Sequence, residues 1–377
     1  MQSLFGTTIL LIKCDFRTEN LMVLFGAQVF DLQKQDLIGS PMIKDSSLLS
    51  LSEAEENFKM IILRYSVNTL KTHSNKCCKF FYYCRIRDIP IFPVKPVLLN
   101  SFLIKMGKEG SSNGEIKSFV NSLTFICRLY GFENVSNEFS VRNTLFSLSK
   151  FCKTVKISRN PFSYELIIKL CTKIERIGGY KMLKLAERRT FLMIIVCFYT
   201  LMRFDCIRNV RLSNLKFIDD YVHITVPKSK TDHKGEGQSL YLVSTGNSYD
   251  PYFILCTYLY DMHEMFGDSD SFLLPSFSYD SKIKAWGITP ETPLTYSAAY
   301  SAFKCLLKKF HIDSSNLSLH SMRIGGTTED FRNNLPGHII DKRGRWKNPG
   351  TKFIYNRCSS RDIIRHLRKC NNRKSRL

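Results

Sequence analysis

Hydrophobic residues recur every three or four positions along much of the chain, a spacing that is typical of amphipathic helices. The clearest case follows Ser112, which stands three residues before Glu115 in the spacing of a capping box. Gly131 marks the predicted end of this helix. Its apolar face is formed by Ile116, Phe119, Val120, Leu123, Ile126, Cys127 and Tyr130.

Shorter stretches on both sides of this helix have the same period. Together they predict that residues 55–150 form a small all-helical domain. The positions expected to face its interior are Met60, Ile61, Leu63, Leu70, Cys78, Phe81, Tyr82, Leu98, Leu99, Phe102, Leu103, Val141, Leu145, Phe146 and Leu148.

A second domain begins with a helical series and contains one segment, Phe191–Leu201, that is apolar nearly all round. Such a segment predicts a buried central helix. The period then changes from 3.6 to 2, which predicts a β-hairpin with a long, polar and basic tip. Its alternating apolar positions are Val222, Ile224, Val226, Leu240 and Leu242.

The predicted fold class is therefore mainly α with a small antiparallel β-sheet (α+β). Residues 1–54 show little periodicity and are interpreted as an N-terminal appendage of unknown role. Residues 151–160 form a basic linker, and residues 161–377 form the larger domain with a C-terminal tail. The later helices are predicted at Tyr252–Met265, Ser297–Phe310, Arg323–Asn334 and Arg361–Lys369.

The net charge and its distribution along the chain indicate the kind of binding partner. The 377 residues include 55 Lys and Arg against 33 Asp and Glu, which gives a formal net charge of +22. Basic residues are concentrated in residues 151–200 and 351–377, whereas residues 251–300 are acidic. This distribution favours a polyanionic partner, with double-stranded DNA first. A solvated basic surface, and for the tail a nuclear-import signal, are the alternative interpretations.

The cysteines indicate the compartment. Thirteen are scattered through apolar stretches, and no C-x-x-C pair or zinc-ligand spacing is present. This pattern predicts reduced thiols in an intracellular protein and no metal site. Residues 191–202 form the longest apolar run and are too few to span a bilayer, so no membrane association is expected.

Four segments of the sequence contain side chains that are suited to reaction at a phosphodiester. Two guanidiniums offer planar paired donors to the charge that gathers on phosphorus under attack. A tyrosine hydroxyl can attack phosphorus and keep the bond energy in a covalent phosphotyrosine, so no nucleotide cofactor is required. An ammonium on a hairpin tip can protonate the departing 5′-oxygen. The candidate catalytic residues are Arg203, Lys230, His320, Arg323, Trp346 and Tyr355.

Each candidate also has a structural interpretation when it is taken alone. Arg203 would complement a helix C-terminus, and Lys228 competes with Lys230 for the hairpin role. An isolated histidine is most often a satisfied structural group, a tryptophan is often core, and Tyr355 is one of seventeen tyrosines. The functional interpretation therefore rests on the joint order and spacing of the residues.

That order resembles the tyrosine recombinase (phage integrase) superfamily. Members of that family carry an Arg, then a Lys on a hairpin, then His-x-x-Arg, then a His or Trp, and a Tyr nine residues after the His or Trp. Here Trp346 and Tyr355 have that separation. Glycines at 325, 326 and 344 match positions where members often carry glycine. Residues 55–150 resemble the core-binding domain of the family. The amino-acid sequence around His320 is most similar to that of eukaryotic mobile-element members, the DIRS-like and Crypton-like integrases.

The resemblance implies a site-specific DNA recombinase or integrase, metal-independent and without a small-molecule substrate, that cuts and rejoins strands through a 3′-phosphotyrosyl bond. It further implies a homo-tetramer on synapsed DNA, a mobile element as the source, and nuclear localisation in a eukaryotic host. A type IB topoisomerase-like enzyme and an inactive DNA-binding derivative are the alternatives. One departure is Cys206, which stands where many members have an acidic residue, with Asp205 one position earlier.

Overall fold

The computed structural model describes residues 60–152, 159–227, 237–247, 249–267, 270–280 and 285–357, together with Pro41 and Ile364. These residues belong to two compact units, Met1–Lys156 and Ile157–Leu377. The predicted appendage 1–54 and the predicted helix Arg361–Lys369 lie outside the described residues, apart from the two isolated positions, as does most of the predicted linker. The predicted domain boundaries stay a prediction.

The described part of the first unit is helical. Ser112 accepts a hydrogen bond from the backbone N–H of Glu115, and the Glu115 carboxylate accepts one from the backbone N–H of Ser112, so the capping box is present. All seven residues of the predicted apolar face of this helix are buried. The α-helices of this unit are α1 (Val67–Arg85), α2 (Pro96–Lys108), α3 (Asn113–Leu129) and α4 (Phe139–Phe151).

The prediction is wrong for several residues that were expected to face the interior, because they are exposed. Tyr82 is 67% exposed and Phe146 is 63% exposed, whereas Phe81 and Val141 are completely buried. Successive residues of an α-helix point about 100° apart, and Tyr82 falls outside the arc of this helix that is buried. Phe81 takes the interior position beside Tyr82, and Cys77 takes it beside the exposed Cys78. Met60, Ile61 and Leu63 are exposed as well.

The second unit is built around the predicted apolar helix. Its residues 189–198 are all buried, and it packs against three later helices, Pro251–Phe266, Tyr296–Lys309 and Ser321–Arg332. Burial on every side explains why the sequence shows no polar face there. The α-helices whose bounds lie within the described residues of this unit are α5 (Tyr164–Arg176), α6 (Leu185–Tyr199), α7 (Phe204–Ile207), α8 (Pro251–Phe266), α9 (Tyr296–Lys309), α10 (Ser321–Arg332), α11 (Gly337–Gly344) and α12 (Thr351–Tyr355).

The predicted hairpin is confirmed as part of a three-stranded antiparallel sheet, in which the strand Tyr221–Val226 lies between Leu215–Ile218 and Gln238–Val243. Val222 pairs with Leu242 and Ile224 pairs with Leu240, and all four side chains are buried on one face. The first strand and a second, two-stranded sheet were not anticipated by the sequence pattern. The strands are β1 (Leu215–Ile218), β2 (Tyr221–Val226), β3 (Gln238–Val243), β4 (Pro275–Asp280) and β5 (Ala285–Pro293).

The chain is thus mainly helical with small antiparallel sheets, as predicted. Each unit has its own apolar core: one centred on α1 and α3, the other on α6. None of the helices in the described part of the chain combines the length and the apolar character needed to cross a bilayer.

Candidate active site

The first helix of the site is α10, which carries His320 and Arg323. His320 is the residue that precedes the helix, and Arg323 lies in its first turn, so a separation of three places both side chains on one face. The helix approaches α6 closely. A β-carbon at Gly326 would lie 2.2 Å from the carbonyl oxygen of Phe198, so only glycine permits this contact. Gly326 therefore brings the His-x-x-Arg segment against the end of the central helix, and Gly325 permits a similar close approach to the backbone of Phe162.

The end of α6 supplies the second component. The helix ends at Tyr199, Leu201 adopts a left-handed conformation with φ 53°, and Arg203 immediately precedes the short helix α7. The sequence interpretation placed Arg203 at the end of the apolar helix, whereas it begins the next one. The Leu201 carbonyl accepts a hydrogen bond from Nη1 of Arg323, which connects this turn to α10.

The third component is the turn and short helix that carry Trp346 and Tyr355. Lys352 is 8% exposed, and its Nζ donates to Oδ2 of Asp341 at 2.5 Å and to the Gly337 carbonyl at 3.2 Å. This ion pair attaches α12 to α11. The Thr328 hydroxyl donates to the Tyr355 carbonyl at 3.1 Å, which attaches the same helix to α10.

The structure brings these components together around Arg323, which is completely buried. Its guanidinium carbon lies 4.6 Å from the centre of the Trp346 ring and 5.4 Å from that of Tyr355. The Tyr355 ring is also 5.4 Å from the His320 ring and 5.2 Å from the Trp346 ring. Arg203 is close enough that its charge acts on both His320 and Arg323. Five of the six candidates therefore form one cluster.

The electrostatics of the cluster are those of a cation-rich interior. Burial, together with the charges of Arg323 and Arg203, lowers the pKa of His320 to about 4. The imidazole is therefore neutral near pH 7, and it can accept or donate a hydrogen bond without carrying charge. Burial and then the charges of Arg203 and Arg345 also lower the pKa of Arg323, while Tyr355 acts in the opposite direction.

Two buried N–H groups at the centre of the cluster have no hydrogen-bond partner within the described ranges: Nε of Arg323 and Nε1 of Trp346. Buried donors are normally satisfied, and these two belong to side chains that contact each other, so they are suited to an acceptor that the protein does not itself provide. A phosphate oxygen fits this requirement. The rings of Trp346 and Tyr355 lie over the Arg323 guanidinium.

Lys230 and its alternative, Lys228, lie in the hairpin tip, outside the described residues, so their placement relative to the cluster stays a prediction. The described residues contain no group of three or more His, Cys, Asp or Glu side chains suited to holding a metal ion.

Two further arginines of this region were missed by the sequence analysis. Arg343 donates to the carboxylate of Asp330 and, at 2.6 Å, to the Tyr199 carbonyl. Arg345 donates to the Leu201 carbonyl at 3.5 Å. The two arginines flank Gly344, directly before Trp346, and this alternation of arginine and glycine was the available signal.

Comparisons with solved structures place this architecture among known folds. The chain is similar to the XerH site-specific recombinase bound to a palindromic difH substrate, with 14% identity, a TM-score of 0.55, and coverage of 87% of this chain and 88% of that chain. It is also similar to the Tn1549 transposon integrase in complex with a circular intermediate DNA, with 14% identity, a TM-score of 0.56 and coverage of 83% and 97%. A lambda integrase dimer bound to a COC′ core site gives 13% identity, a TM-score of 0.52 and coverage of 80% and 75%.

These neighbours are tyrosine recombinases and integrases, and the chain has their fold. No family model and no curated protein sequence matches the chain.

Proposed function

We propose that the protein is a site-specific DNA recombinase or integrase that cleaves and rejoins strands through a 3′-phosphotyrosyl intermediate. The observation that carries the proposal is the contact of Tyr355 with Arg323, His320 and Trp346 in one cluster around the buried Arg323. In a fold shared with recombinases, this arrangement supports a phenol nucleophile acting beside donors suited to a phosphate. The sequence alone indicates the same candidate residues.

The cluster suits attack on a phosphodiester. The Tyr355 oxygen forms a bond to phosphorus while the bond from phosphorus to the 5′-oxygen breaks, so the phenol loses a proton and the leaving 5′-oxygen gains one. Negative charge that gathers on the non-bridging oxygens is stabilised by Arg203 and Arg323 and by the indole N–H of Trp346. Preorganised donors of this kind contribute on the order of 3–4 kcal/mol each to transition-state stabilisation.

Two groups are proposed to move the protons. A neutral His320 has a lone pair for the phenolic proton, because burial and the neighbouring guanidiniums keep its pKa low in the free protein. Lys230, on the hairpin between β2 and β3, is proposed to protonate the 5′-oxygen. In the second half of the reaction a 5′-hydroxyl from another strand attacks phosphorus, restores the phosphodiester and releases the tyrosine.

Double-stranded DNA is the proposed partner. The net charge of +22 supports this assignment, as do the solved structures of similar fold that hold DNA. Exchange of two strands through a four-way junction requires four active sites, so a homo-tetramer on synapsed DNA is part of the proposal. Origin in a eukaryotic mobile element, and a nuclear location, are further proposals that follow from the sequence resemblance alone.

The decisive experiment captures the covalent intermediate. A pool of nicked duplexes with randomised sequence is incubated with the full chain in the presence of a chelator. Because the duplexes are nicked, cleavage releases a short strand, and the loss of this strand prevents rejoining. Protein linked to DNA is recovered under denaturing conditions, and the site of attachment is mapped by mass spectrometry. We expect a phosphotyrosine at Tyr355 and no adduct with Tyr355→Phe, which should bind DNA as the parent protein does.

The alternatives give different results. An inactive DNA-binding derivative binds the pool and forms no adduct. A type IB topoisomerase-like enzyme forms the adduct and relaxes supercoiled DNA, but yields no joint molecules between two duplexes. Loss of cleavage on addition of chelator would indicate a metal-dependent nuclease and would contradict the proposal.

A further inference from the structure

Arg345 has a backbone conformation that its residue type does not favour. It follows α11 and precedes Trp346, with φ 55° and ψ 44°, in the left-handed region where glycine or asparagine is common at the end of a helix. An arginine there has an energetic cost from its β-carbon. Its side chain is also partly buried, so neither the backbone nor solvation of the charge explains this residue type.

The contacts of the side chain supply an explanation. Nη2 of Arg345 donates at 3.5 Å to the Leu201 carbonyl, the same oxygen that accepts from Arg323. The Cys206 thiol is close enough to act on the charge of this guanidinium. Leu201 stands two residues before Arg203, and Cys206 stands three residues after it. Arg345 therefore contacts the chain just before Arg203 and lies near the chain just after it.

No carboxylate of the described residues forms an ion pair with Arg345. Its charge is held instead by a carbonyl dipole and a thiol, near the C-terminal end of α6, where a cation interacts favourably with the helix dipole. Burial lowers the pKa of Arg345, the Cys206 thiol raises it, and the charge of Arg203 lowers it. Three guanidiniums, those of Arg203, Arg323 and Arg345, thus lie close together, and an anion would relieve their mutual repulsion.

We propose that Arg345 is a positioning residue that holds the segment 201–206 and so fixes where Arg203 meets the scissile phosphate. Only the role of Arg203 at the scissile phosphate rests on the proposed function; the anchoring of residues 201–206 does not. The hydrogen bond from Nη2 of Arg345 goes to the Leu201 carbonyl, on the backbone that leads to Arg203, so the side chain acts on that segment.

The test compares variants of the full chain at Arg345. Arg345→Met keeps the length and the left-handed strain but removes the guanidinium, and Arg345→Lys restores the charge with a single nitrogen. Arg176→Met makes the same chemical change at an exposed position of α5 and serves as the control. The first measurement is hydrogen exchange of the backbone amides of Cys206 and Ile207, which both donate to the Arg203 carbonyl. The second is the single-turnover rate of covalent adduct formation on nicked DNA.

We expect Arg345→Met to accelerate exchange at these two amides and to lower the rate of adduct formation roughly 10- to 100-fold, since small displacements of a catalytic group are that costly. DNA affinity should be unchanged, Arg345→Lys should recover part of both losses, and Arg176→Met should behave as the parent protein.

Unchanged exchange at Cys206 and Ile207 in Arg345→Met would overturn the inference, whatever the rate does, because Arg345 would then act by another route. Faster exchange with an unchanged rate would overturn it equally. If the parent protein forms no adduct at all and exchange is still faster in Arg345→Met, the proposed function fails while the anchoring of the Arg203 segment stands.

Discussion

The indole ring of Trp346 and the phenol ring of Tyr355 lie 5.2 Å apart between their centres, with 33° between their planes. The intervening turn and α12 fold back so that two residues nine positions apart cover the same guanidinium, that of Arg323. Tyr355 is the proposed nucleophile, and Trp346 carries a buried indole N–H that has no partner in the described ranges. The roles of the two rings can therefore be tested separately.

Trp346→Phe keeps an aromatic ring over Arg323 but removes the indole N–H. We expect the rate of adduct formation to fall roughly 100-fold, as for other single donors to a transition-state oxyanion. DNA affinity should stay the same, because the variant keeps an aromatic ring and changes no charge. Trp286→Phe, at the only other tryptophan of the chain, is the control. A rate equal to that of the parent protein would show that the indole N–H does not bind the reacting phosphate.

The partly buried His320 should make the protein less stable in acid. Its pKa is about 4 in the folded protein against an ordinary value of 6.5, so the unfolded chain binds the proton more readily. The free energy of unfolding should therefore decrease as the pH falls from about 6.5 to about 4, by up to ~3 kcal/mol from this residue.

His320→Gln removes this titration. Denaturant unfolding of the parent protein and the variant at a series of pH values isolates the contribution of His320 as a difference, so the other titrating groups cancel. Parallel curves for the two proteins across this interval would mean that the imidazole is as readily protonated in the folded state as in water.

The pair Lys352–Asp341 should contribute to stability because both side chains are largely buried. Lys352→Met leaves the Asp341 carboxylate without its cation, and we expect the free energy of unfolding to fall by about 3 kcal/mol. The double variant with Asp341→Leu should recover most of this loss. Lys105→Met, which breaks an exposed pair with Glu109 in the first unit, should cost no more than about 0.5 kcal/mol. Equal losses at the two pairs would contradict the assignment.

Gly326→Ala should disturb the junction between α10 and α6. The added β-carbon would lie 2.2 Å from the Phe198 carbonyl oxygen and 2.6 Å from Cδ2 of Leu201. We expect a loss of at least about 1–3 kcal/mol in the free energy of unfolding. We also expect slower adduct formation, because Leu201 is two residues from Arg203. Gly114→Ala, in the first turn of α3, has its nearest neighbour at 3.9 Å and should be neutral or slightly stabilising. A stable Gly326→Ala would mean that the two helices separate without cost.

Local patterns in the sequence determined the fold class and the order of the main elements. The capping box at Ser112, the apolar segment Phe191–Leu201 and the alternation at Val222, Ile224 and Val226 each predicted an element that the structure contains. These predictions succeed because burial of one face imposes a period on the chain, and the period can be recognised without knowing the partner of that face. The candidate residues were recognised by order and spacing, which the sequence also records.

Tertiary packing decided what the period could not express. It determined that Phe81 rather than Tyr82 reaches the core, since both are apolar and only a neighbouring helix distinguishes them. It brought Arg323 beneath the rings of Trp346 and Tyr355, and it placed Arg345 against the Leu201 carbonyl about 144 positions earlier in the chain. Contacts between residues so far apart depend on how whole helices approach each other, and that geometry leaves no periodic trace in the sequence.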